Sequence, residues 1–289
     1  MSTPEPFLED LWRRPMPEMA SEPLTRLYIR GAADLARRKW IRSVEGLEHI
    51  AVENDPFVLV ANHSQRPETV ILNALLAFHR DGRLVHFLAD WPMMLVPGVA
   101  MLYRRGGVIP VFGKKPKVRF LAAVEQFFRR AHPGTAWERA RNHLDAGRSV
   151  GVFPEATMNR NRRRMLRGRP GAALLALEAG VPVVPVGLRF HDEPRSRPIG
   201  DFEPFSVHIG PAIPTPAIPS LSGDDQTART LLRSTTKELQ RELMLRISEL
   251  CGKTWRPDAA RRKGRADAAE SSEMNETTRT EPGDRHGVT

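Results

Sequence analysis

The sequence predicts an α/β layered domain: one largely parallel or mixed sheet flanked by helices, a basic helix before it and a disordered tail after it. Three observations predict this. Short apolar runs of strand length alternate with helical stretches through the middle of the chain. A single cysteine, Cys251, excludes an intramolecular disulfide framework. The last stretch is polar and almost without large apolar residues, so it cannot offset the entropy of ordering.

The elements follow in order. Residues 1–23 are Pro-rich and acidic and read as a loose arm. Leu24 to Trp40 reads as a helix with Leu24, Leu27, Tyr28, Leu35 and Ala36 on one face and five basic residues elsewhere. A turn at Gly46 leads to the buried strand Phe57 to Ala61. The polar segment Asn62 to Thr69 then precedes a helix over Val70 to His79, with Ser64 as its expected N-cap. Leu84–Leu88 and Val108–Phe112 read as strands. Between them, Trp91 to Tyr103 is apolar but broken by Pro92, Pro97 and Gly98. Helices over 118–130 and 136–146, a strand over Ser149 to Phe153, a helix over Gly171 to Glu178 and a strand over Val181 to Leu188 complete the alternation. A last helix covers 227–250. The chain therefore divides into an arm with a basic amphipathic helix (1–45), a domain (46–252) and a disordered tail (253–289).

Charge narrows the partners. The net charge is +10, and the tail from Lys253 accounts for +1 of it, so the rest lies in the ordered part. A basic surface of this size suits a polyanion: nucleic acid, an anionic membrane or phosphorylated ligands. No secretory leader and no spanning run of about 18 apolar residues is visible. A nucleic-acid reader would interleave aromatics with its arginines. The richest basic stretch, Arg160 to Arg169, has none.

Two polar segments sit at strand ends, where α/β folds place their sites. In the first, His63 and Glu68 are five residues apart. They meet if His63 precedes the helix and Glu68 lies in its first turn, and a carboxylate on imidazole then makes a general base. The second is Phe153-Pro154-Glu155-Ala156-Thr157, followed by six arginines within ten residues, Arg160 to Arg169. Arginine forks bind phosphate bidentately. The G-x-S-x-G run at Gly147 to Gly151 is rejected as a nucleophile elbow, because a helix precedes it and a strand follows.

These blocks resemble the PlsC-type glycerolipid acyltransferases. Asn62-His63 with Glu68, Gly107-Val108-Ile109-Pro110-Val111, Phe153-Pro154-Glu155-Ala156-Thr157 and Val181-Pro182-Val183-Val184-Pro185-Val186 stand in the family's order, from roughly Gly46 to Ile213. Glu68 stands where the family has Asp. Phe112 and Gly113 replace the Asp-Arg of the second block, and Ala156 and Met158 replace the Gly and Arg of the third. The two replaced arginines are associated in that family with the acceptor's phosphate.

The resemblance implies an O-acyltransferase that moves a fatty acyl group from acyl-CoA or acyl-carrier protein to a hydroxyl of a glycerolipid such as lysophosphatidic acid. His63 and Glu68 are the implied catalytic pair, and Asn62, Glu155, Thr157, Lys114, Lys115, Arg160 and Arg162 the implied substrate contacts. The thioester is a co-substrate, and no cofactor or metal is expected. The implied place is cytoplasmic and peripheral, on the anionic inner face of the cell membrane, with no nucleic-acid partner. Two rival readings are a catalytically impaired lipid-binding relative and an enzyme for a non-phosphorylated lipid acceptor.

Overall fold

A computed structural model describes residues 13–96, 98–113, 119–191, 197–217 and 226–257, without the side chains of 119–121. The strands are β1 (Ile41–Glu45), β2 (Val58–Ala61), β3 (His86–Asp90), β4 (Ile109–Val111), β5 (Val150–Val152), β6 (Val183–Phe190) and β7 (Phe205–Ile209). The helices are α1 (Pro23–Lys39), α2 (Glu68–His79), α3 (Val99–Arg105), α4 (Arg119–Ala131), α5 (Ala136–Asp145), α6 (Gly171–Ala179) and α7 (Gln226–Cys251).

Among the described residues, the seven strands form one sheet in the order β1-β7-β6-β2-β5-β3-β4. The pairs from β6 through β2, β5 and β3 to β4 are parallel. β7 runs antiparallel to β6 and parallel to β1. The sheet is therefore mixed, and the expected α/β class holds. β2 is central and every residue of it is buried, which is why the run from Phe57 to Ala61 is apolar without alternation. Val58 and Val60 enter a core roofed by α5, α6 and α7. Leu59 and Ala61 enter the opposite core, with Leu72, Leu75 and Leu76 of α2. The parallel strands bring the ends of β2 and β5 side by side, since Val58, Leu59 and Val60 pair with Val150, Gly151 and Val152. The two segments singled out in the sequence thus leave the same edge of the sheet.

Three expectations need correction. Ile41–Glu45, placed in the N-terminal arm, is strand β1 of the sheet. On α1 the buried residues are Thr25, Ile29, Ala33 and Ala36, a stripe of mostly small side chains that lets the helix lie on Ala77 and Phe78 of α2. Leu24, Leu27 and Leu35, placed on one face with Tyr28 and the buried Ala36, are 60%, 57% and 44% exposed. Finally, the tail does not start at Lys253. Gly252, at φ +70°, takes the left-handed conformation that ends a helix. Beyond it Lys253 is buried, and Thr254 pairs with Arg164. The remainder of the tail, like residues 1–12, lies outside the described residues.

The Ser149 of the rejected G-x-S-x-G run is 1% exposed. Its hydroxyl bonds Asp55 and accepts from the Phe57 amide, fixing the entry to β2. Asp55 in turn pairs with the buried Arg80 guanidinium and with Arg83 at 3.0 Å, tying the end of α2 to the same entry.

Helix α7 packs hardest against β6 at Gly187. A Cβ there would sit 2.4 Å from the Cys251 amide nitrogen and the Leu250 carbonyl carbon. Both are backbone atoms, so the helix end must move. Gly187→Ala is expected to lower unfolding free energy by about 1–3 kcal/mol, the range for overpacking. Urea unfolding with the wild-type midpoint would contradict this close contact.

Candidate active site

The site begins where β2 runs out. Asn62 is fully buried, and its amide group bonds the β6 backbone twice: Nδ2 donates to the Leu188 carbonyl (3.1 Å) and Oδ1 accepts from the Leu188 amide (2.7 Å). Asn62 was expected to touch substrate. Both of its polar atoms instead hold the β2 end against β6.

The next residue, His63, turns its ring toward α2. Its Nδ1 lies 2.8 Å from Glu68 Oε2. Glu68 is the first residue of α2 and is wholly buried. Its carboxylate also accepts from the amides of Ser64 (2.8 Å) and Gln65 (3.1 Å). The expected cap is therefore inverted. Ser64 does not cap the helix; the Glu68 side chain caps the turn before it, at the positive end of the helix dipole. The His63 ring stacks on Phe153 at 4.5 Å between centroids, and Phe153 stacks on Phe87. Glu68 and Phe153 thus fix two sides of the imidazole, and the side chain remains 20% exposed.

Glu155 follows β5 and is nearly buried. Oε1 accepts from the His63 amide (3.4 Å), and Oε2 accepts from Asn159 Nδ2 (2.7 Å) and the Leu166 amide (2.8 Å). Burial pushes its carboxyl above the ordinary value, opposed by these hydrogen bonds and by Lys253. Glue between the two strand-end loops is what its geometry provides. Asn159 adds to it by donating its amide to the His63 carbonyl at 2.7 Å. Sequence reasoning passed over Asn159, since an asparagine among arginines carries no signal of burial. Thr157 is exposed at the rim. Ala156, where the family has Gly, adopts φ +55°, a left-handed conformation that costs a non-glycine residue about 1–2 kcal/mol.

The arginine segment runs along an open cleft of ≈ 500 Å³ lined by Arg160, Asn161, Arg162, Arg163, Arg164 and Arg197. Two of the expected phosphate ligands are already paired. Arg160 donates to Asp201 (2.8 Å) and to the Ile199 carbonyl (2.7 Å). Arg162 donates to Glu203 (2.5 Å) and to the Arg197 carbonyl (2.8 Å). The Arg162 side chain is 4% exposed, yet its Nη1 has no hydrogen-bond partner among the described residues. Arg163 and Arg164 are exposed. Asp201 and Glu203 also join the cleft to the His63 turn, through the Arg66 amide (3.2 Å) and the Gln65 side chain (3.1 Å in each direction). Lys114 and Lys115 lie outside the described residues.

Loss of the Asn62 amide would strand two buried backbone groups of Leu188. Asn62→Ala is expected to cost about 2–4 kcal/mol of stability, two neutral hydrogen bonds with their desolvation penalty. Chemical unfolding measures it, and an unchanged midpoint would return Asn62 to the substrate contacts.

A family model described as Acyltransferase matches residues 41–189. No curated protein matches. Nine chains of solved structures match. One of them, titled as the crystal structure of the 1-acyl-sn-glycerophosphate (LPA) acyltransferase, PlsC, from Thermotoga maritima, is 19% identical. That comparison covers 82% of this chain and 90% of the other, with a TM-score of 0.45.

Proposed function

The chain belongs to the acyltransferase family, and from that membership we propose that it transfers a fatty acyl group from a thioester, acyl-CoA or acyl-carrier protein, to a hydroxyl of a phosphate-bearing glycerolipid. The observation that carries this reading is the 2.8 Å contact between His63 Nδ1 and the buried Glu68 carboxylate. With Nδ1–H donated to Glu68, the lone pair sits on Nε2. Nε2 takes the proton of the acceptor hydroxyl as its oxygen attacks the thioester carbonyl carbon. The tetrahedral intermediate then expels the thiolate, which leaves with the proton held by the imidazolium. Glu68 stabilises the imidazolium and keeps its ring oriented. No covalent acyl-enzyme is needed, in keeping with the structural roles of Ser149 and the burial of Cys251.

Glu155 serves as the brace of the His63 turn, and Thr157 offers its exposed hydroxyl to the acceptor. The arginine cleft takes the phosphate. Its free capacity comes from the exposed Arg163 and Arg164, while Arg160 and Arg162 balance Asp201 and Glu203. Lys114 and Lys115 belong to the same proposal as further cations. A non-phosphorylated acceptor is the second reading, favoured by Gly113 and Met158 standing at the family's two arginine positions.

Membrane access is proposed as peripheral. Among the described residues no helix is long and apolar enough to cross a membrane. Exposed Leu24 and Leu27 on α1, with Leu95, Val96 and Met101 on and beside α3, supply apolar side chains. The basic surface supplies attraction to anionic lipid.

The test measures thiol release from palmitoyl-CoA with lysophosphatidic acid or monoacylglycerol as acceptor. One charged hydrogen bond contributes about 1.5–3 kcal/mol, so wild type should prefer the phosphorylated acceptor by about tenfold or more. The double change Arg163→Ala with Arg164→Ala should shrink that preference. Equal rates on both acceptors would establish the second reading. Glu68→Asp should keep far more activity than Glu68→Gln, because the glutamine cannot balance an imidazolium.

A further inference from the structure

Helix α7 ends beside β6, and the left-handed Gly252 sends the chain back toward the strand ends. Thr254 and Trp255 are fastened to the loop after β5. The Met165 amide donates to the Thr254 carbonyl (2.9 Å), the Thr254 amide to the Arg163 carbonyl (2.7 Å), and Trp255 Nε1 to the Arg167 carbonyl (3.2 Å). This strap directs Lys253 inward. Lys253 is 4% exposed, and its Nζ donates to Ser64 Oγ at 2.8 Å. Ser64 is the residue directly after His63, and its amide is one of the three donors to Glu68.

Two buried carboxylates, Glu68 and Glu155, brace the same turn. An ammonium at this depth needs counter-charge, and buried carboxylates need a cation in return. We propose that Lys253 is a positioning residue for the His63–Glu68 pair: from a segment outside the family-matched residues 41–189, its ammonium holds Ser64 and balances the buried Glu68 and Glu155 carboxylates, which fixes the turn that aims His63. This rests on the reading of His63 as the base. The charged and titratable groups facing Lys253 are Glu155, Cys251 and Glu68, with Arg162 as the opposing cation. Burial lowers the lysine's own affinity for its proton; Glu155, Cys251 and Glu68 act against that, and Arg162 with it. The same cation opposes the effect of burial on Glu155.

The sign of the effect is fixed. Removing a cation makes a nearby imidazolium easier to form and nearby carboxylates easier to protonate. Both changes move the protonation of the pair to higher pH. A lysine that merely filled space would leave that midpoint in place when replaced by a neutral side chain of similar length.

The readout is the pH midpoint of the His63 imidazole Cε1 resonance in the full chain, which needs no knowledge of the substrate. In Lys253→Gln and Lys253→Met the midpoint should rise, the direction set by removing one positive charge from beside the pair. Lys253→Arg keeps the charge and should restore the wild-type midpoint. Thermal melts identify which neutral variant folds, and either one suffices beside Lys253→Arg. The acid limb of the thiol-release profile should move in the same direction, with kcat lowered more than KM. A wild-type midpoint in a folded neutral variant, or an arginine variant that shifts as far as the glutamine, would overturn the role. That result would leave the base reading intact, whose own failure would appear as unchanged turnover in Glu68→Gln.

Discussion

The carboxylate of Glu68 is the constraint on which the site depends. One side chain at the start of α2 accepts from the Ser64 amide, the Gln65 amide and the His63 ring. The turn joining β2 to α2 is thereby wound around a single buried group, and the imidazole is aimed by the same atoms that hold the backbone. Burial of an anion at this depth is tolerable because it is hydrogen-bonded on every side and sits at the positive end of a helix. The extra methylene of glutamate, relative to the aspartate of the resembled family, is accommodated without loss of the contact to His63 at 2.8 Å.

The sheet makes the rest of the geometry follow. Parallel pairing of β2 with β5 sets Asn62 to Glu68 beside Phe153 to Asn159, so that Phe153 stacks on His63 and Glu155 reaches its amide. β6, on the other flank, anchors Asn62 through Leu188. The antiparallel β7 leads back from a loop whose Asp201 and Glu203 hold the arginine cleft against the turn. Each of these contacts joins residues far apart in sequence. The site is therefore only as rigid as the sheet order that assembles it.

Much of this was legible in the residues, for physical reasons. A strand buried on both faces must be apolar throughout, and Phe57 to Ala61 announces itself. Helix geometry allowed His63 to meet Glu68 if the histidine precedes the helix, and the family resemblance implied that the two form a pair. β1 carries Arg42, Ser43 and Glu45 and lies at the edge of the sheet, while β7 is five residues long and interrupts Phe205, Val207 and Ile209 with Ser206 and His208. Such strands show little apolar run to read. α1 misled because leucines define an apolar face by composition, while the packed face is the one whose small residues allow close approach. Lys253 and Asn159 were invisible for a different reason. A polar residue is buried by what long-range contacts build around it, here the Gly187 contact and the turn at Gly252.

The central claim is that His63 is the base that carries the acceptor's proton. Turnover of His63→Ala in thiol release from acyl-CoA in the presence of lysophosphatidic acid, measured alongside its unfolding curve, tests it most directly. The account predicts a fall in kcat of about 10² to 10⁴, the range for a lost general base, in a protein that unfolds near the wild-type midpoint. Turnover close to wild type in that folded variant would contradict it.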